Sequence, residues 1–264
     1  MELRFLGTGA SEGIPAINCH CSHCRRAAET GGRLTRRHSA ILCSTGRSNL
    51  LIEAPPDIRE LINGQCRGVK LDGVYISHAH YGHAAGLEEL RHWQGKPSWS
   101  RNKLRLFASA AVHARLAERT WFQGRMNDVF DAVVCSAEEP TAVGEFSITP
   151  FAVEHGEEPT FGLVVQNDAC KVVYTSDMAA TQCEKMPTMA EQADLLIANT
   201  PTFLPPKADH ITVQDAVELK IRLKAKKLVL THISHKNKTY DALSDYAKGL
   251  KGVVVAYDGL RLRI

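Results

Sequence analysis

The residues best suited to chemistry form a short histidine-rich segment, Ser77-His78-Ala79-His80-Tyr81-Gly82-His83. It follows the apolar run 73–76, which is typical of a buried strand, and it precedes a helix-like segment. Neutral imidazole is a good ligand for zinc and similar first-row metals, and a loop at a strand end can direct several rings at one point. His78 and His80 can share one metal, whereas His83 opens the next turn and can face elsewhere. The segment predicts a metal site, and the alternative is a solvated histidine loop.

Further ligand-type residues end apolar runs later in the chain. His155, Asp177 and His232 each stand at or just after the end of a strand-like run. His210 lies in the loop before a helix that Thr212 can cap. Loops carry function more often than helix faces do, although His210 could also be a loop residue without a role in chemistry. The recurrence of ligand-type residues at strand ends is stronger support for a metal centre than any one motif.

Three cysteines, Cys19, Cys21 and Cys24, crowd together near the start of the chain. Three thiolates need one more ligand for a closed tetrahedral zinc site. His20 and His23 are local candidates for that ligand, and three reduced cysteines without metal are the alternative. The chain is too long for a disulfide-stapled miniprotein, so we interpret the other cysteines as free thiols: Cys43, Cys66, Cys135, Cys170 and Cys183.

Length and composition predict one large domain, or two closely packed halves, over residues 1–264. Several strand-like runs and outer helices in each half indicate an α/β fold, and the cysteines place a zinc-binding loop within 15–30. The 264 residues are 44% hydrophobic, and a formal charge of +3 permits anionic substrates without requiring nucleic acid. The glycine-rich turn 7–13 has the wrong spacing for a dinucleotide-binding loop and no helix follows it. No run of 18 apolar residues and no secretory signal are found, so we expect a soluble, cytoplasmic protein without a membrane partner.

The histidine-rich segment resembles the His-x-His-x-Asp-His signature of the metallo-β-lactamase superfamily. The resemblance implies a four-layered αββα sandwich of two mixed sheets flanked by helices, usually with two metals in its active site. It assigns His78, His80 and His155 to the first metal, Asp177 to a bridge, and His83 and His232 to the second. Gly82 departs from this pattern because the family has Asp there, as a ligand of the second metal. Glu53 is a smaller departure, at a strand end where relatives often have Asp.

A narrower resemblance is to the phosphoribosyl 1,2-cyclic phosphate phosphodiesterases of phosphonate breakdown. It rests on the cysteine motif, on the segment 230–235 and on the histidine before the late helix. The resemblance implies that His235 joins Cys19, Cys21 and Cys24 on a structural zinc. It also implies hydrolysis of a small phosphodiester by a metal-bound hydroxide, with Asp177 orienting the nucleophile and His210 contacting the phosphate or protonating the leaving alkoxide.

The expected cofactors are a structural Zn²⁺ and one or two Zn²⁺ or Mn²⁺ ions in the active site, and the expected partner is a small phosphorylated substrate. Nucleic acid is not expected as a partner, and the sequence is compatible with either a monomer or a homodimer. One alternative is an RNA- or DNA-processing nuclease of the same superfamily, against which the chain shows only short basic runs. Another is a degenerate ligand-binding or cofactor-biosynthesis member with one active-site metal, which Gly82 would explain.

Overall fold

The computed structural model describes residues 1–92, 103–119, 126–204 and 209–264, and for Asn127 only the backbone. Within these ranges, no helix is both long and apolar enough to cross a membrane. The strands, in chain order, are β1 Glu2–Gly7, β2 Ala40–Ser44, β3 Asn49–Ile52, β4 Gly73–Tyr75, β5 Leu104–Ala108, β6 Phe130–Val134, β7 Thr141–Val143, β8 Phe146–Val153, β9 Thr160–Gln166, β10 Lys171–Tyr174, β11 Leu195–Asn199, β12 Lys227–Thr231, β13 Val253–Val255 and β14 Arg261–Arg263.

The helices are mostly short and lie between the strands. They are α1 Ser22–Thr30, α2 Ile58–Gln65, α3 Tyr81–Ala84, α4 Leu87–Leu90, α5 Ala110–Ala117, α6 Met126–Val129, α7 Val213–Arg222 and α8 Tyr240–Lys248. Among the described residues, three short 3₁₀ turns cover Gly32–Leu34, Ala180–Lys185 and Thr188–Ala190.

The strands form two seven-stranded mixed sheets. The first has the order β14-β1-β2-β3-β4-β5-β6, antiparallel from β14 to β3 and parallel from β3 to β6. The second has the order β13-β12-β11-β10-β9-β8-β7, parallel from β13 to β10 and antiparallel from β10 to β7. The predicted α/β class with two mixed sheets flanked by helices is confirmed.

Three apolar layers hold the sandwich together, because alternate side chains of a strand point to opposite faces. In β11, Leu195 and Ile197 enter the layer between the sheets, and Leu196 and Ala198 enter the outer layer under the helices. The layer between the sheets also contains aromatic side chains such as Tyr75. This packing fixes the strand ends, and the side chains that follow them become part of one rigid edge.

The helix-like segment expected after the histidines is not one continuous helix, because α3 ends at Ala84 and α4 begins at Leu87. The two helices are separated at Gly86. A side chain at Gly86 would run into the carbonyl oxygen of Pro55, so the chain passes too closely there for any other residue.

The cap residues show how local sequence sets the helix starts. Thr212 caps α7 as predicted, in a capping box with Asp215. Asp57 stands at the start of α2 as predicted but makes no side-chain cap bond. Its Oδ2 atom instead accepts hydrogen bonds from the backbone N and the ring Nδ1 of His38, both at 3.1 Å. The Asp57 carboxylate therefore ties two segments together rather than satisfying the helix end.

Candidate metal centre

Asp177 lies at the middle of the histidine cluster. Its side chain is buried, and its Oδ1 atom accepts a 2.7 Å hydrogen bond from Nδ2 of Asn199. Its Oδ2 atom faces the Nε2 atoms of four histidines: His83 at 3.3 Å, His232 at 3.6 Å, His78 at 3.8 Å and His155 at 3.9 Å. One carboxylate oxygen thus stands between histidines that follow three different strands, β4, β8 and β12.

The first candidate site is a histidine triad, His78, His80 and His155, whose ligand atoms lie within 4.8 Å of one another. The Nδ1 atom of His155 donates a 2.9 Å hydrogen bond to the carbonyl oxygen of Asp209, so its Nε2 atom keeps a lone pair. That Nε2 atom is 3.2 Å from Nδ1 of His80. The Nδ1 atom of His78 is hydrogen-bonded to Ser77 Oγ at 2.9 Å, which leaves Nε2 directed at the centre. Second hydrogen bonds of this kind orient metal-binding rings.

The second candidate site consists of His83, Asp177 and His232, again within 4.8 Å. The hydroxyl of Ser39 donates to the carbonyl oxygen of Gly9 at 2.9 Å, so its oxygen accepts from Nδ1 of His232 at 3.2 Å. This arrangement presents Nε2 of His232 as a free lone pair. The glycine-rich turn therefore lies beside the site, as the sequence indicated.

Unsatisfied buried nitrogens indicate that this cluster fits metal. Within the described part of the chain, Nε2 of His78 and Nε2 of His83 are buried and have no hydrogen-bond partner. Such orphan atoms cost free energy unless a ligand satisfies them. Ligands about 2.0–2.1 Å from a tetrahedral zinc are roughly 3.3 Å from each other, close to the spacings around Asp177 Oδ2. The two triads, joined at that oxygen, could hold two metals.

The electrostatic environment keeps most of the candidate ligands in the protonation state that binds a metal: neutral histidine and ionised aspartate. Burial holds the pKa of His78 well below its usual value and lowers that of His232 to about 3, so both rings are neutral. Burial opposes the charge of Asp177, but the neighbouring His232 and His83 outweigh it and hold its pKa well below the usual range. Burial also opposes protonation of His83, yet Asp177 and Glu53 raise its pKa to about 10. Metal binding at the second triad therefore releases a proton from His83.

Glu53 is a site residue that the sequence reasoning noted only as a departure from Asp. Its Oε1 atom is 3.5 Å from Nδ1 of His83 and accepts a 3.2 Å hydrogen bond from the hydroxyl of Tyr174. Its Oε2 atom accepts from the backbone N of Ser77 at 3.3 Å. The carboxylate therefore fixes the His83 ring from behind. The position of Glu53 at the end of a buried strand is the sequence feature that could have identified it as a site residue.

Backbone turns at three strand ends direct side chains into the site. Glu53, Ser176 and His232 have φ angles of 66°, 57° and 58°, a left-handed conformation that is uncommon outside glycine. Such strain is found where the surrounding structure enforces it, often at functional sites. The hydroxyl of Ser176 donates to Ser77 Oγ at 2.7 Å and so supports the His78 ring indirectly. The buried hydroxyl of Thr231, next to His232, has no hydrogen-bond partner among the described residues.

His210 lies over the junction of the two triads. Its ring centroid is 5.0 Å from that of His155 and 5.9 Å from that of His232. Its side chain is mostly buried, and its Nε2 atom is 4.0 Å from Oδ1 of Asp209. A histidine here can contact a group bound beside Asp177.

Tyr81, His92 and His113 lie at the edge of the histidine cluster or away from it. Tyr81 is 62% exposed, so it does not pack inward. His113 lies on the buried side of α5, with its Nε2 atom 3.1 Å from the carbonyl oxygen of Val133 in β6, and His92 is exposed. The structure therefore places neither His92 nor His113 with the candidate ligands.

Gly82 is buried at the start of α3. A Cβ atom there would lie 3.3 Å from Ser11 Oγ, a contact that a small movement of Ser11 relieves. The position thus accepts a Cβ atom with little adjustment, and glycine supplies no carboxylate beside His83.

We expect Gly82→Asp to tighten metal binding at the second triad by at least roughly tenfold, since a carboxylate adds a charged ligand. Gly82→Asn, of the same shape without the charge, is the matched control and should give a smaller gain. Calorimetric titration of the metal-free proteins with Zn²⁺ or Mn²⁺ measures both variants. Unchanged stoichiometry and affinity in Gly82→Asp would contradict this account of the position.

A separate site joins Cys19, Cys21, Cys24 and His235. The three sulfur atoms are 3.3, 3.6 and 3.5 Å from Nδ1 of His235. Ligands about 2.3 Å and 2.0 Å from a tetrahedral zinc are roughly 3.5 Å apart, so the spacing fits a closed Cys₃His site. His23, one of the two local candidates, instead uses Nδ1 to donate to the carbonyl oxygen of His235.

The surroundings of this cysteine site favour bound thiolates. The backbone N of Cys24 donates to Cys21 Sγ at 3.4 Å and, with His235, lowers the pKa of that thiol to about 6. Burial raises the pKa of the Cys24 thiol to about 11, although its sulfur accepts a hydrogen bond from the backbone N of Ala16, and a bound cation would favour the thiolate. Nε2 of His235 is 3.8 Å from Oε1 of Glu12, and the same oxygen accepts from the Ser234 hydroxyl. A carboxylate behind the ligating histidine is typical of zinc sites.

Comparison with known proteins agrees with this architecture. Residues 48–233 match the beta-lactamase superfamily domain, and the protein belongs to that superfamily. The chain is 25% identical over 241 residues to an octanoyltransferase of Porphyromonas gingivalis, a match that covers 89% of this chain but only 46% of that protein. It is 22% identical to coenzyme PQQ synthesis protein B of Klebsiella pneumoniae, over 100% of this chain and 98% of that one.

A solved structure described as a new diphosphatase from the PhnP family has the same fold. It superposes with a TM-score of 0.81 at 24% identity and covers 100% of this chain and 97% of its own. At this identity the likeness concerns the fold alone. The superfamily fold binds metals and is typically hydrolytic, in agreement with the His and Asp clusters.

Proposed function

We propose that the protein is a metal-dependent phosphodiesterase acting on a small phosphorylated substrate, for which a cyclic phosphate such as phosphoribosyl 1,2-cyclic phosphate is the first candidate. The observation that carries the proposal is the position of Asp177 Oδ2, which lies within 3.9 Å of the Nε2 atoms of two histidines of the first triad, His78 and His155, and of both histidines of the second. A carboxylate oxygen shared in this way is suited to two metals on either side of a phosphoryl group.

The residues of the chain have distinct parts in this proposal. Bound metals would provide hydroxide at neutral pH and neutralise charge on the phosphoryl oxygens. Asp177 holds the two triads at a fixed separation and orients the nucleophile between them. His210, above the junction, donates a hydrogen bond to the phosphate or a proton to the leaving alkoxide, since an imidazole has a pKa suited to this. Glu53 and Ser39 keep the rings of His83 and His232 in place.

The zinc of the cysteine site is structural in this proposal, and the active site takes Zn²⁺ or Mn²⁺. The proposed binding partner is a small phosphorylated molecule rather than nucleic acid or a membrane. The proposed setting is phosphonate metabolism in the cytoplasm, and the proposal is compatible with a homodimer. The fold shared with a PhnP-family diphosphatase supports a phosphoryl-group substrate.

A second candidate function is a role in cofactor biosynthesis with one metal in the active site. It is favoured by Gly82, which removes one ligand, and by similarity to PQQ synthesis protein B over nearly the whole length of both chains. This candidate predicts no diester hydrolysis and tight binding of a small molecule.

A direct assay separates the two. The purified protein, loaded with Zn²⁺ or Mn²⁺, is tested on bis(p-nitrophenyl) phosphate, on ribose-derived cyclic phosphates and on a p-nitrophenyl carboxylic ester. The proposal expects turnover of the diesters in preference to the ester, lost on chelation and restored by metal. Hydrolysis of the carboxylic ester alone, or no turnover at full metal content, would contradict it.

His210→Ala is expected to lower kcat for a cyclic phosphate by roughly a hundredfold, which is typical for loss of a positioned acid or hydrogen-bond donor. Metal content should stay at the wild-type value, because His210 ligates neither triad in this proposal. The exposed His92→Ala variant is the control. A His210→Ala protein with wild-type kcat, or one that loses metal, would refute the assigned role.

A further inference from the structure

The cysteine site differs from the rest of the chain's thiols in its access to solvent. Of the eight cysteines, all of which lie in the described ranges, Cys21 alone is exposed and Cys19 is half-buried, whereas Cys24 and the remaining five are buried. The reactivity of a cysteine towards dissolved oxidants follows its exposure and its thiolate character, and a zinc ligand is held as thiolate. Cys21 is therefore the sulfur that a small oxidant reaches first.

A second sulfur stands ready to form a disulfide with Cys21. Cys21 is the N-cap of α1 and Cys24 lies in the first turn, so the two side chains share one side of the helix start. The backbone N of Cys24 donates to Cys21 Sγ at 3.4 Å, and the sulfur atoms of the site lie within 4.8 Å of one another. Cys-x-x-Cys at a helix start is a spacing found in reactive dithiols.

The buried position of Cys24 suits it to act second. Its sulfur accepts a 3.3 Å hydrogen bond from the backbone N of Ala16 and is covered by the loop before α1. A buried sulfur is protected from direct oxidation but can attack a neighbouring sulfur that has already been oxidised. The exposed and buried members of the pair thus have different parts in one reaction.

We propose that Cys21 and Cys24 form a redox-modification site, at which a hydroperoxide oxidises the pair to a disulfide and the structural zinc is released. The inference goes beyond the proposed phosphodiesterase function. It rests on the structural zinc of that proposal but not on the reaction catalysed, so it applies equally to the cofactor-biosynthesis candidate.

The reaction has two steps. The sulfur of Cys21 attacks a peroxide oxygen, the O–O bond breaks, and a sulfenic acid and one water form. The sulfur of Cys24 then attacks the sulfur of Cys21, the S–O bond breaks, and a disulfide and a second water form. In sum, two thiolates and two protons reduce one hydrogen peroxide to two waters. The zinc site keeps only Cys19 and His235, which are too few ligands for a closed tetrahedral site.

Loss of this zinc acts on the active site through the chain segment that both centres share. His235 follows the candidate active-site ligand His232 by three residues. Between them, the backbone N of Ile233 donates to the carbonyl oxygen of Thr8 at 2.9 Å, so the segment lies along the glycine-rich turn 7–13. Oxidation frees one end of this segment, and we expect metal affinity at the second triad to fall by roughly tenfold.

The test treats the protein, loaded with Zn²⁺ in the cysteine site and Mn²⁺ in the active site, with hydrogen peroxide. A chromogenic chelator measures released zinc, a thiol reagent counts thiols after unfolding, and peptide mass mapping locates disulfides. We expect about one zinc ion released for every two thiols lost, with a Cys21–Cys24 disulfide. Dithiothreitol and zinc should restore both the thiols and the wild-type Mn²⁺ affinity measured by calorimetric titration.

Two matched variants test which sulfurs react. Cys19→His and Cys21→His each leave two cysteines and two histidines, a ligand set that also forms closed zinc sites. Only Cys19→His retains the reactive pair. Peroxide should therefore release zinc from Cys21→His at least roughly tenfold more slowly than from Cys19→His. Cys170→Ala, which removes one of the buried thiols, should respond as wild type.

Several results would overturn the inference. They are equal rates of zinc release from Cys19→His and Cys21→His, a disulfide between other cysteines, thiol loss without zinc release, and unchanged Mn²⁺ affinity in the oxidised protein. If neither variant binds zinc, the zinc release and the peptide map of wild type decide. Wild type without zinc at the cysteine site refutes the structural zinc and this inference together, whereas absence of diester hydrolysis refutes only the phosphodiesterase proposal.

Discussion

Asp177→Asn is expected to lower phosphodiester hydrolysis by roughly a thousandfold, since loss of about 4 kcal/mol of metal-dependent stabilisation corresponds to three factors of ten. The substitution keeps the shape of the side chain and removes its charge. The affected oxygen, Oδ2, is the atom that faces four histidines, the nearest being His83 at 3.3 Å. An amide cannot serve as an anionic bridge, so both triads should lose metal affinity together.

Two measurements make this result specific. Metal content per chain should fall in Asp177→Asn along with activity, and circular dichroism should show that the variant is folded. The control is Asp245→Asn, which neutralises an exposed carboxylate on α8 that pairs with Lys248. Retention of both active-site metals in Asp177→Asn would contradict the assignment of Asp177 as the shared ligand.

Cys21→Ser is expected to destabilise the protein by at least about 3 kcal/mol, because zinc binding free energy at a structural site is folding free energy. For a domain of this size, that corresponds to a fall of roughly 6–12 °C in the thermal midpoint. The cysteine site connects the loop before α1 to His235, three residues beyond His232. Losing it should loosen the wall that presents His232, so affinity at the second triad should fall as well.

The matched control for this variant is Cys170→Ala, which removes a buried thiol in the turn between β9 and β10 that belongs to none of the candidate ligand sets found among the described residues. A chelator should lower the midpoint of the wild-type protein more than that of Cys21→Ser, because the variant has one metal fewer to lose. Equal midpoints for Cys21→Ser and wild type would rule out a structural zinc at this position.

The candidate ligands could be predicted from sequence because each follows a strand. His78, His155, Asp177 and His232 come after β4, β8, β10 and β12, and a layered sandwich brings such ends to one edge. His235 could be assigned only through the family resemblance, since a distance of more than 200 residues from the cysteines gives no local signal.

The residues that support the ligands were much less accessible to sequence reasoning. Asn199 holds Asp177, Asp209 orients His155, and Ser39 orients His232 through contacts between separate strands and loops. Common polar residues at such distances leave no periodic pattern to detect. The strand before Asp177 ends at Tyr174, and Ser176 then adopts a left-handed backbone conformation that carries Asp177 into the site.

Elemental analysis of metal per chain, on wild type and on a Cys21→Ser/His235→Ala double variant, tests the central claim most directly. The arrangement of two triads around Asp177 and a separate Cys₃His site predicts three metals per wild-type chain and a loss of one in the variant. Two metals in wild type, falling to one, would contradict the two-metal centre and favour the single-metal cofactor-biosynthesis alternative.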